Sequence, residues 1–488
     1  MVLRKISDEK VISRIRLENR WWETGRIDDH HDRFRRREYF ASFASLVQEI
    51  RGSNLARAPI LMGPRRVGKT VLLFHLVQSL IDAGTAPKTI NYLSVEHPVF
   101  NGRGLDELVD LCKEATGVTE IAGGVFIFDE IQYLRDWELH LKALVDRYPT
   151  TTWIASGSAA AALRLKSNES GAGRFTDFLL PPLTFHEYAS LLDRIDLVEF
   201  KDGKDSPSAS KFATTKDLPA LNELFIDYLN FGGYPEVALS DVMRADPGRY
   251  VRQDIIDKVL LRDLPSLYGI ADIQELNSLF TALAYNTANE ISLEKLSQRA
   301  GVAKNTVKRY LEYLEAAFLV KRVHRIDHNA RRFQRATLFK VYLTNPSLRA
   351  ALFAPVMSDD EDIGAMVETA IFSQWFHRTG AGDIHYARWK DGEVDIVHVN
   401  DAADPLWVCE VKWSDRIASR VEELEPVVRF CKTHDLREAI VTTRTERLDL
   451  EQDGIQLRLV PASIYCVTIG RNLVRTRLAR EKKRKAAS

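Results

Sequence analysis

Residues 58–81, APILMGPRRVGKTVLLFHLVQSLI, constrain the fold more than any other stretch. The first five residues form an apolar run too short for a helix and bounded by Gly63, so they read as a strand buried on both faces. From Lys69 the apolar residues recur at helical spacing, and the six residues between carry Gly63 and Gly68. A strand that feeds a helix through a glycine-rich turn is the first half of a βαβ unit, and such units build parallel sheets. The runs TINYLSV, VFIF and TTWIAS, alternating with helical patterns that begin at 69 and 104, extend the same rhythm to about residue 160. The chain is therefore expected to be α/β, with a parallel sheet in this region.

The turn GPRRVGKT has the spacing G-x-x-x-x-G-K-[ST] in the structural context that gives the spacing meaning. Gly63, Pro64, Arg65, Arg66, Val67 and Gly68 would curl the backbone so that its N–H groups and the helix N-terminus face phosphate. Lys69 would add positive charge to the β and γ phosphates of ATP, and Thr70 would ligate Mg²⁺. Downstream, VFIFDEIQ at 125–132 is a buried strand that ends in two acids. Asp129 is expected to hold the Mg²⁺ shell and Glu130 to orient the attacking water. Four apolar residues before the pair argue against the alternative of solvated surface acids. The next strand, TTWIASGS, ends in Ser156 and Ser158, which either sense a γ-phosphate or simply close a strand.

At 488 residues the chain exceeds one ordinary core. With 45% hydrophobic and 28% charged residues it is expected to fold rather than stay disordered. Lys plus Arg equals Asp plus Glu at 68 each, so net charge names no partner. Cys112, Cys409, Cys431 and Cys466 form no CxxC pair, which argues against a zinc site or a disulfide framework. The start MVLRKISDEK lacks an apolar signal core and no apolar run reaches membrane-helix length, so a cytoplasmic protein with no membrane partner is expected. DDHH at 28–31 reads as solvated surface, because consecutive residues cannot all face one ion. The loop KDGKDSPSAS at 201–210 reads as an insertion, and the end RNLVRTRLAREKKRKAAS as a loosely ordered basic tail.

Residues 291–325 have the pattern of a helix-turn-helix followed by a strand. LEKLSQRA is the first helix and Gly301 the turn, while Val307, Tyr310, Leu311, Leu314 and Phe318 give the second helix its core stripe. That leaves Lys304, Asn305, Lys308 and Arg309 exposed where a recognition helix meets DNA. A winged helix used as a lid or protein contact is the equal alternative.

Together with the phosphate loop, the motifs FDEIQ, SGS at 156–158, GRFTDFLLPPLTFHEY at 173–188, FGGYPEV at 231–237, RDLPSLYGI at 262–270 and KVYLTNPSLRAAL at 340–352 carry a resemblance. The chain resembles the AAA-type P-loop ATPases of bacteria and archaea that end in a domain of unknown function related to PD-(D/E)xK nucleases. Composition sets apart a basic segment at 1–50 and a basic tail at 471–488; between them the patterns and the resemblance imply a RecA-like ATPase domain at 51–190, a helical lid at 191–275, a winged-helix domain at 276–345 and a nuclease-like α/β domain at 346–470. The resemblance also implies that Arg174, following the sensor strand, reaches a γ-phosphate, although a structural arginine fits equally.

In such nuclease folds one strand supplies an Asp, its neighbour an E-x-K, and a preceding helix a further acid. Asp395, Glu410 with Lys412, and Glu368 match in that order. Glu368 lies along the stripe of Phe372 and Trp375, so it points inward. Asp395 and Glu410 would hold one or two divalent ions, and Lys412 would stabilise the charge on the reacting phosphate. The alternative is a surface hairpin with an ordinary Glu–Lys pair. The expected function is an ATPase that acts on DNA, with ATP and Mg²⁺ bound, nuclease activity in its C-terminal part and a homo-oligomer left open. The rivals are an ATP-switched binding protein that does not cut, and an ATP-dependent protein remodeller.

Overall fold

The computed structural model describes residues 6–53, 55–157, 173–200, 212–330, 338–376 and 383–487, with backbone alone at 267 and 480–487. Ser158, the 201–210 loop and the side chains of 482–485 lie outside the described residues. The chain forms two compact units, Met1–Pro181 with Thr476–Ser488, and Pro182–Arg475.

In the first unit, strands β1 (Ala58–Met62), β2 (Ile90–Ser94), β3 (Val125–Asp129), β4 (Thr152–Gly157) and β5 (Phe175–Leu179) make one sheet in the order β2-β3-β4-β1-β5. All four neighbouring pairs are parallel. APILM, VFIFD and TWIASG are buried at every position, as expected of strands covered on both faces.

A parallel sheet leaves the backbone of its edge strands unpaired unless something covers it. At β2 the cover is the stretch that composition set apart as a basic segment. The Asn19 carboxamide accepts the Tyr92 N–H at 2.7 Å and donates to the Tyr92 carbonyl at 2.8 Å, so one side chain does the work of a short sixth strand. The indole N–H groups of Trp21 and Trp22 both donate to the Ile90 carbonyl, at 3.1 and 2.7 Å. Val11, Ile15, Trp21, Phe43 and Val47 are core residues, so residues 6–50 belong to the body of this unit.

The second unit holds one nine-stranded sheet. Its strands are β6 (Glu290–Ser292), β7 (Val320–Ile326), β8 (Leu338–Leu343), β9 (Asp383–Trp389), β10 (Gly392–Val399), β11 (Pro405–Glu410), β12 (Glu438–Thr443), β13 (Leu448–Gln452) and β14 (Ile455–Pro461). The order is β13-β14-β12-β11-β10-β9-β7-β8-β6. The boundary read at 345/346 thus falls inside a continuous sheet. The cause is β7, which pairs with β8 through Val320–His324 and then, in its last two residues, runs parallel to β9. Both faces of the C-terminal strands are covered. Ile396, Cys409 and Val411 enter one apolar cluster, and Val394, Val397 and Val408 enter another.

Helices Ile273–Tyr285, Leu293–Ala300 and Lys304–Ala316 interleave with the three-stranded end of this sheet. Ser292 caps the middle helix by accepting the Lys295 N–H, and Gly301 ends it in the left-handed region. Val307, Tyr310, Leu311 and Leu314 are buried as the spacing predicts. Phe318 departs from that stripe: the helix stops at Ala316, and Phe318 sits in a left-handed turn with φ 58°, half-buried. The basic end of the chain is a helix in its backbone, Ala462–Ala487, rather than a loose tail. Its residues after Gly470 contain no Gly or Pro and are rich in Ala, Lys, Arg and Leu, all strong helix formers.

Removing the Asn19 carboxamide leaves the Tyr92 backbone pair without partners in a site that is 1% exposed at Asn19. Asn19→Ala is expected to cost about 1–3 kcal/mol. The check is the urea midpoint of the nucleotide-free protein, and an unchanged midpoint would mean that the edge needs no such partner.

Candidate nucleotide site and a buried carboxylate cluster

The β1 strand ends at Met62 and the next helix starts at Lys69, so the 63–68 turn stands at the carboxyl edge of the sheet. A Cβ at Gly63 would lie 2.2 Å from the Leu180 carbonyl oxygen, which no side chain survives. Arg66 and Gly68 are left-handed, with φ 63° and 92°, the backbone of a concave N–H nest. The first N–H groups of the following helix have no partner within it and add to that cradle. Lys69 is 5% exposed, and its ammonium donates to the carbonyls of Gly63 at 3.1 Å and Pro64 at 3.0 Å. Glu130 lies 3.8 Å from the same nitrogen. Arg65 donates to the Tyr133 hydroxyl, Val67 is buried, and Arg66 is exposed. Behind the turn the buried Arg37 donates to the Val67 carbonyl at 2.8 Å and the Pro181 carbonyl at 3.1 Å.

Because β4 runs between β1 and β3, Ser156 stands between the turn and Asp129. Three hydroxyls converge on the Asp129 carboxylate. Thr70 donates to Oδ2 at 2.7 Å, Tyr92 donates to Oδ2 at 2.6 Å, and Ser156 donates to Oδ1. The Ser156 oxygen also accepts the Glu130 N–H at 3.2 Å. Burial raises the Asp129 pKa, and the charge of Glu130 adds to the rise despite the three hydroxyls. Glu130 has φ 57°, unusual for a non-glycine, and its Oε2 accepts from Gln132 at 2.5 Å. The sequence reading missed Tyr92, whose hydroxyl tips a ring in the buried strand INYLS, and it missed Glu18. Glu18 accepts the N–H of Ser94 at the end of β2 at 3.2 Å, and burial lifts its pKa to about 7.

Arg174 must be moved away from this site. β5 pairs in parallel with β1 from Ala58–Phe175 to Met62–Leu179, and the Arg174 carbonyl accepts the Ala58 N–H. Arg174 thus stands at the amino edge of the sheet, roughly 13 Å of strand from the carboxyl edge where the turn lies. Its guanidinium pairs with Asp146 instead.

In the second unit Glu368, Asp395, Glu410 and Lys412 come together, as their order along the chain suggested, around a residue that was not foreseen. Lys340 on β8, 4% exposed, places its ammonium 2.9 Å from Glu368, 2.9 Å from Glu393 and 3.3 Å from Asp395. Tyr342, two residues on and on the same face, donates to Glu368 at 2.6 Å. Asp395 Oδ2 accepts the Val411 N–H at 3.0 Å, and Glu410 Oε2 accepts the Asp395 N–H at 3.3 Å. The Lys412 ammonium donates to Glu410 Oε1 at 2.6 Å. A register shift of β10 against β9 between Val394 and Val397 brackets Asp395.

Burial would raise the Asp395 pKa, but Lys340 and then Lys412 hold it below the usual range. Burial lifts Glu410 to about 7, with Asp395 adding to the rise. Glu368 is likewise raised by burial, against the pull of Lys340. Burial opposes the charge on Lys340, yet Glu368 and its neighbours keep it firmly protonated. The metal role expected for Asp395 and Glu410 does not fit this arrangement, since protein donors engage both carboxylates. Among the described residues no three His, Cys, Asp or Glu side chains are placed to hold a metal ion. The signal for Lys340 was a lone charge inside the apolar strand LFKVYL.

Residues 56–189 match a family model described as an AAA domain, and residues 222–359 match a domain of unknown function (DUF8612). An uncharacterized protein of Methanocaldococcus jannaschii is 22% identical over 394 residues, 79% of this chain and 82% of its own. An uncharacterized protein of Haemophilus influenzae is 25% identical over 59% of this chain and 68% of its own. Among solved structures, Caenorhabditis elegans PCH-2 gives a TM-score of 0.26 at 18% identity over 41% of this chain and 58% of that one. The Saccharomyces cerevisiae Hsp104:casein complex gives 0.29 at 15% identity over 58% of this chain and 50% of that one. Scores at this level carry no assignment of fold. Among the described residues no helix is long and apolar enough to cross a membrane.

The raised pKa of Glu18 has a consequence for stability. Between the ordinary glutamate value of about 4.3 and its folded value, the folded protein binds a proton that the unfolded chain has released, so stability falls as pH rises through that window. Glu18→Gln keeps an acceptor for Ser94 and removes the titration. It is expected to be about 1–3 kcal/mol more stable than the parent at pH 8, with the gap closing towards pH 4. Urea titrations across pH check this, and a gap independent of pH would contradict it.

Proposed function

We propose that this chain, whose residues 56–189 form an AAA-type P-loop ATPase domain, hydrolyses ATP and uses the turnover to control how its second unit grips DNA. The observation that carries the first half is the meeting of Thr70, Ser156 and Asp129 beside the Lys69 turn.

The residues fit a magnesium nucleotide. Gly63 admits no side chain, the turn is a nest of N–H groups, and Thr70 and Asp129 already share a hydrogen bond. Thr70 and Asp129 would hold Mg²⁺, which supplies charge neutralisation to the phosphates when bound. Lys69 donates to carbonyls of its own turn, acceptors that phosphate oxygens would replace. Glu130 has the role of orienting water and taking its proton, and for this it must let go of Gln132. Ser156 contacts Asp129 through its hydroxyl and accepts the Glu130 N–H, so it ties the positions of the two acids together.

Two features support DNA as the partner of the second unit. The run of helix, strand, helix, helix, strand and strand, with the sheet end ordered β7-β8-β6, supports a winged helix. Lys304, Asn305, Lys308 and Arg309 all lie exposed on its third helix, although Lys304 is paired with Glu294. The convergence of Glu368, Asp395, Glu410 and Lys412 supports kinship with the PD-(D/E)xK fold. The engagement of those carboxylates by protein donors favours gripping over cutting. An ATP-dependent remodeller is the competing account, and it predicts ATPase activity stimulated by polypeptide and indifferent to DNA.

Lys69→Ala is expected to lose nucleotide binding, whereas Glu130→Gln should bind ATP and turn it over about a hundredfold more slowly or worse. Fluorescent-nucleotide titration and phosphate release separate the two, and undiminished hydrolysis in both variants would remove the site. Removing Lys308 and Arg309 together should weaken DNA binding and flatten its salt dependence by about one slope unit per lost phosphate contact. An unchanged affinity and slope would make this helix a lid or protein contact.

A further inference from the structure

The carboxylate cluster of the second unit holds more acidic than basic side chains, with Arg388 3.5 Å from Glu393 at its edge. Glu368, Glu393, Asp395 and Glu410 face the ammonium groups of Lys340 and Lys412. Lysine is a compact point charge with three donors, and Lys340 spends them on three different carboxylates. Its stem leaves β8 on the face it shares with the buried Tyr342, opposite to that of Phe339 and Val341, and the Tyr386 ring centroid lies 5.3 Å from its nitrogen. Lys412 differs, with a side chain 39% exposed and one close carboxylate, Glu410. So one ammonium is built into the interior at the point where the acids converge, and the other stands at the rim.

We infer that Lys340 is the resident cation of this cluster, occupying the seat among Glu368, Glu393 and Asp395 that a divalent ion would otherwise take. A metal entering there would have to expel a buried ammonium and leave it unpaired in the sheet, which is strongly unfavourable. Three observations agree. The Asp395 oxygens are taken by Lys340 and the Val411 N–H, with Lys412 at 4.0 Å. The Glu410 oxygens are taken by Lys412 and the Asp395 N–H. Among the described residues no group of three is placed to ligate a metal. The ammonium also fixes position, because it ties β8 to the Ile363–Trp375 helix and to β10, three elements that the sequence places far apart. This inference stands whether or not the first unit hydrolyses ATP.

The test is Mn²⁺ binding to the full-length, nucleotide-free chain, read by electron paramagnetic resonance of free Mn²⁺ and by thermal unfolding. Asp395→Asn should leave Mn²⁺ uptake by the parent unchanged. Lys340→Met, which keeps the stem and deletes the charge, should gain one Mn²⁺ site at least about tenfold tighter than any on the parent, with an unfolding temperature that rises with Mn²⁺. Adding Asp395→Asn to Lys340→Met should abolish that gain. A Mn²⁺ site on the parent that Asp395→Asn removes would overturn the inference, and so would a folded Lys340→Met protein that gains no site. Should Lys340→Met not fold even with Mn²⁺, the comparison of parent with Asp395→Asn still decides.

Discussion

A carboxylate buried at the end of an apolar strand must be given donors or lose its charge, and the first unit is organised around that demand at Asp129. Its partners come from three elements: Thr70 on the helix after the phosphate turn, Tyr92 on β2 and Ser156 on β4. Only a sheet in which β4 separates β1 from β3 brings those hydroxyls to one acid. The same demand reaches the edge, since Tyr92 is held in register by the Asn19 carboxamide at its own backbone. Loosening that edge would shift a donor to Asp129, so the N-terminal stretch contributes to the geometry of the site through Tyr92.

The second unit meets the same problem with a different answer. Hydroxyl donors stabilise an acid moderately and can be exchanged for a stronger partner, so Asp129 remains available to a bound cation. An ammonium held in the interior is fixed charge, and Lys340 commits three carboxylates to itself. One arrangement suits a ligand that comes and goes. The other suits a joint that must not move, and it lies where the β7-β8-β6 end of the sheet continues into the C-terminal strands.

How much of this was legible in the sequence depended on range. The phosphate turn and the acid pair on β3 are local patterns, spelled out by consecutive residues and their flanks. Asp395, Glu410, Lys412 and Glu368 were legible as a group because their order matches that of the nuclease folds the chain resembles, with helix periodicity turning Glu368 inward. Lys340 was not, since its partners lie 28, 53 and 55 positions away and nothing local announces them. Asn19 is 73 positions from Tyr92, so nothing local announces that pairing either. The misplacement of Arg174 has another cause: which end of β5 faces the nucleotide is set by parallel register with β1, which residue spacing does not encode. The continuity of the nine-stranded sheet rests on two residues of β7, too few to leave a pattern.

The central claim is that nucleotide state in the first unit and DNA affinity in the second are thermodynamically linked. The direct measurement is the dissociation constant of the full-length chain for a labelled DNA duplex, by fluorescence anisotropy at fixed salt, with a non-hydrolysable ATP analogue and Mg²⁺, with ADP and Mg²⁺, and with neither. Coupling between sites changes affinity by about fivefold or more, and the account predicts at least that difference between the ATP-analogue and ADP states. Equal dissociation constants in all three states, with nucleotide binding confirmed on the same samples, would contradict it.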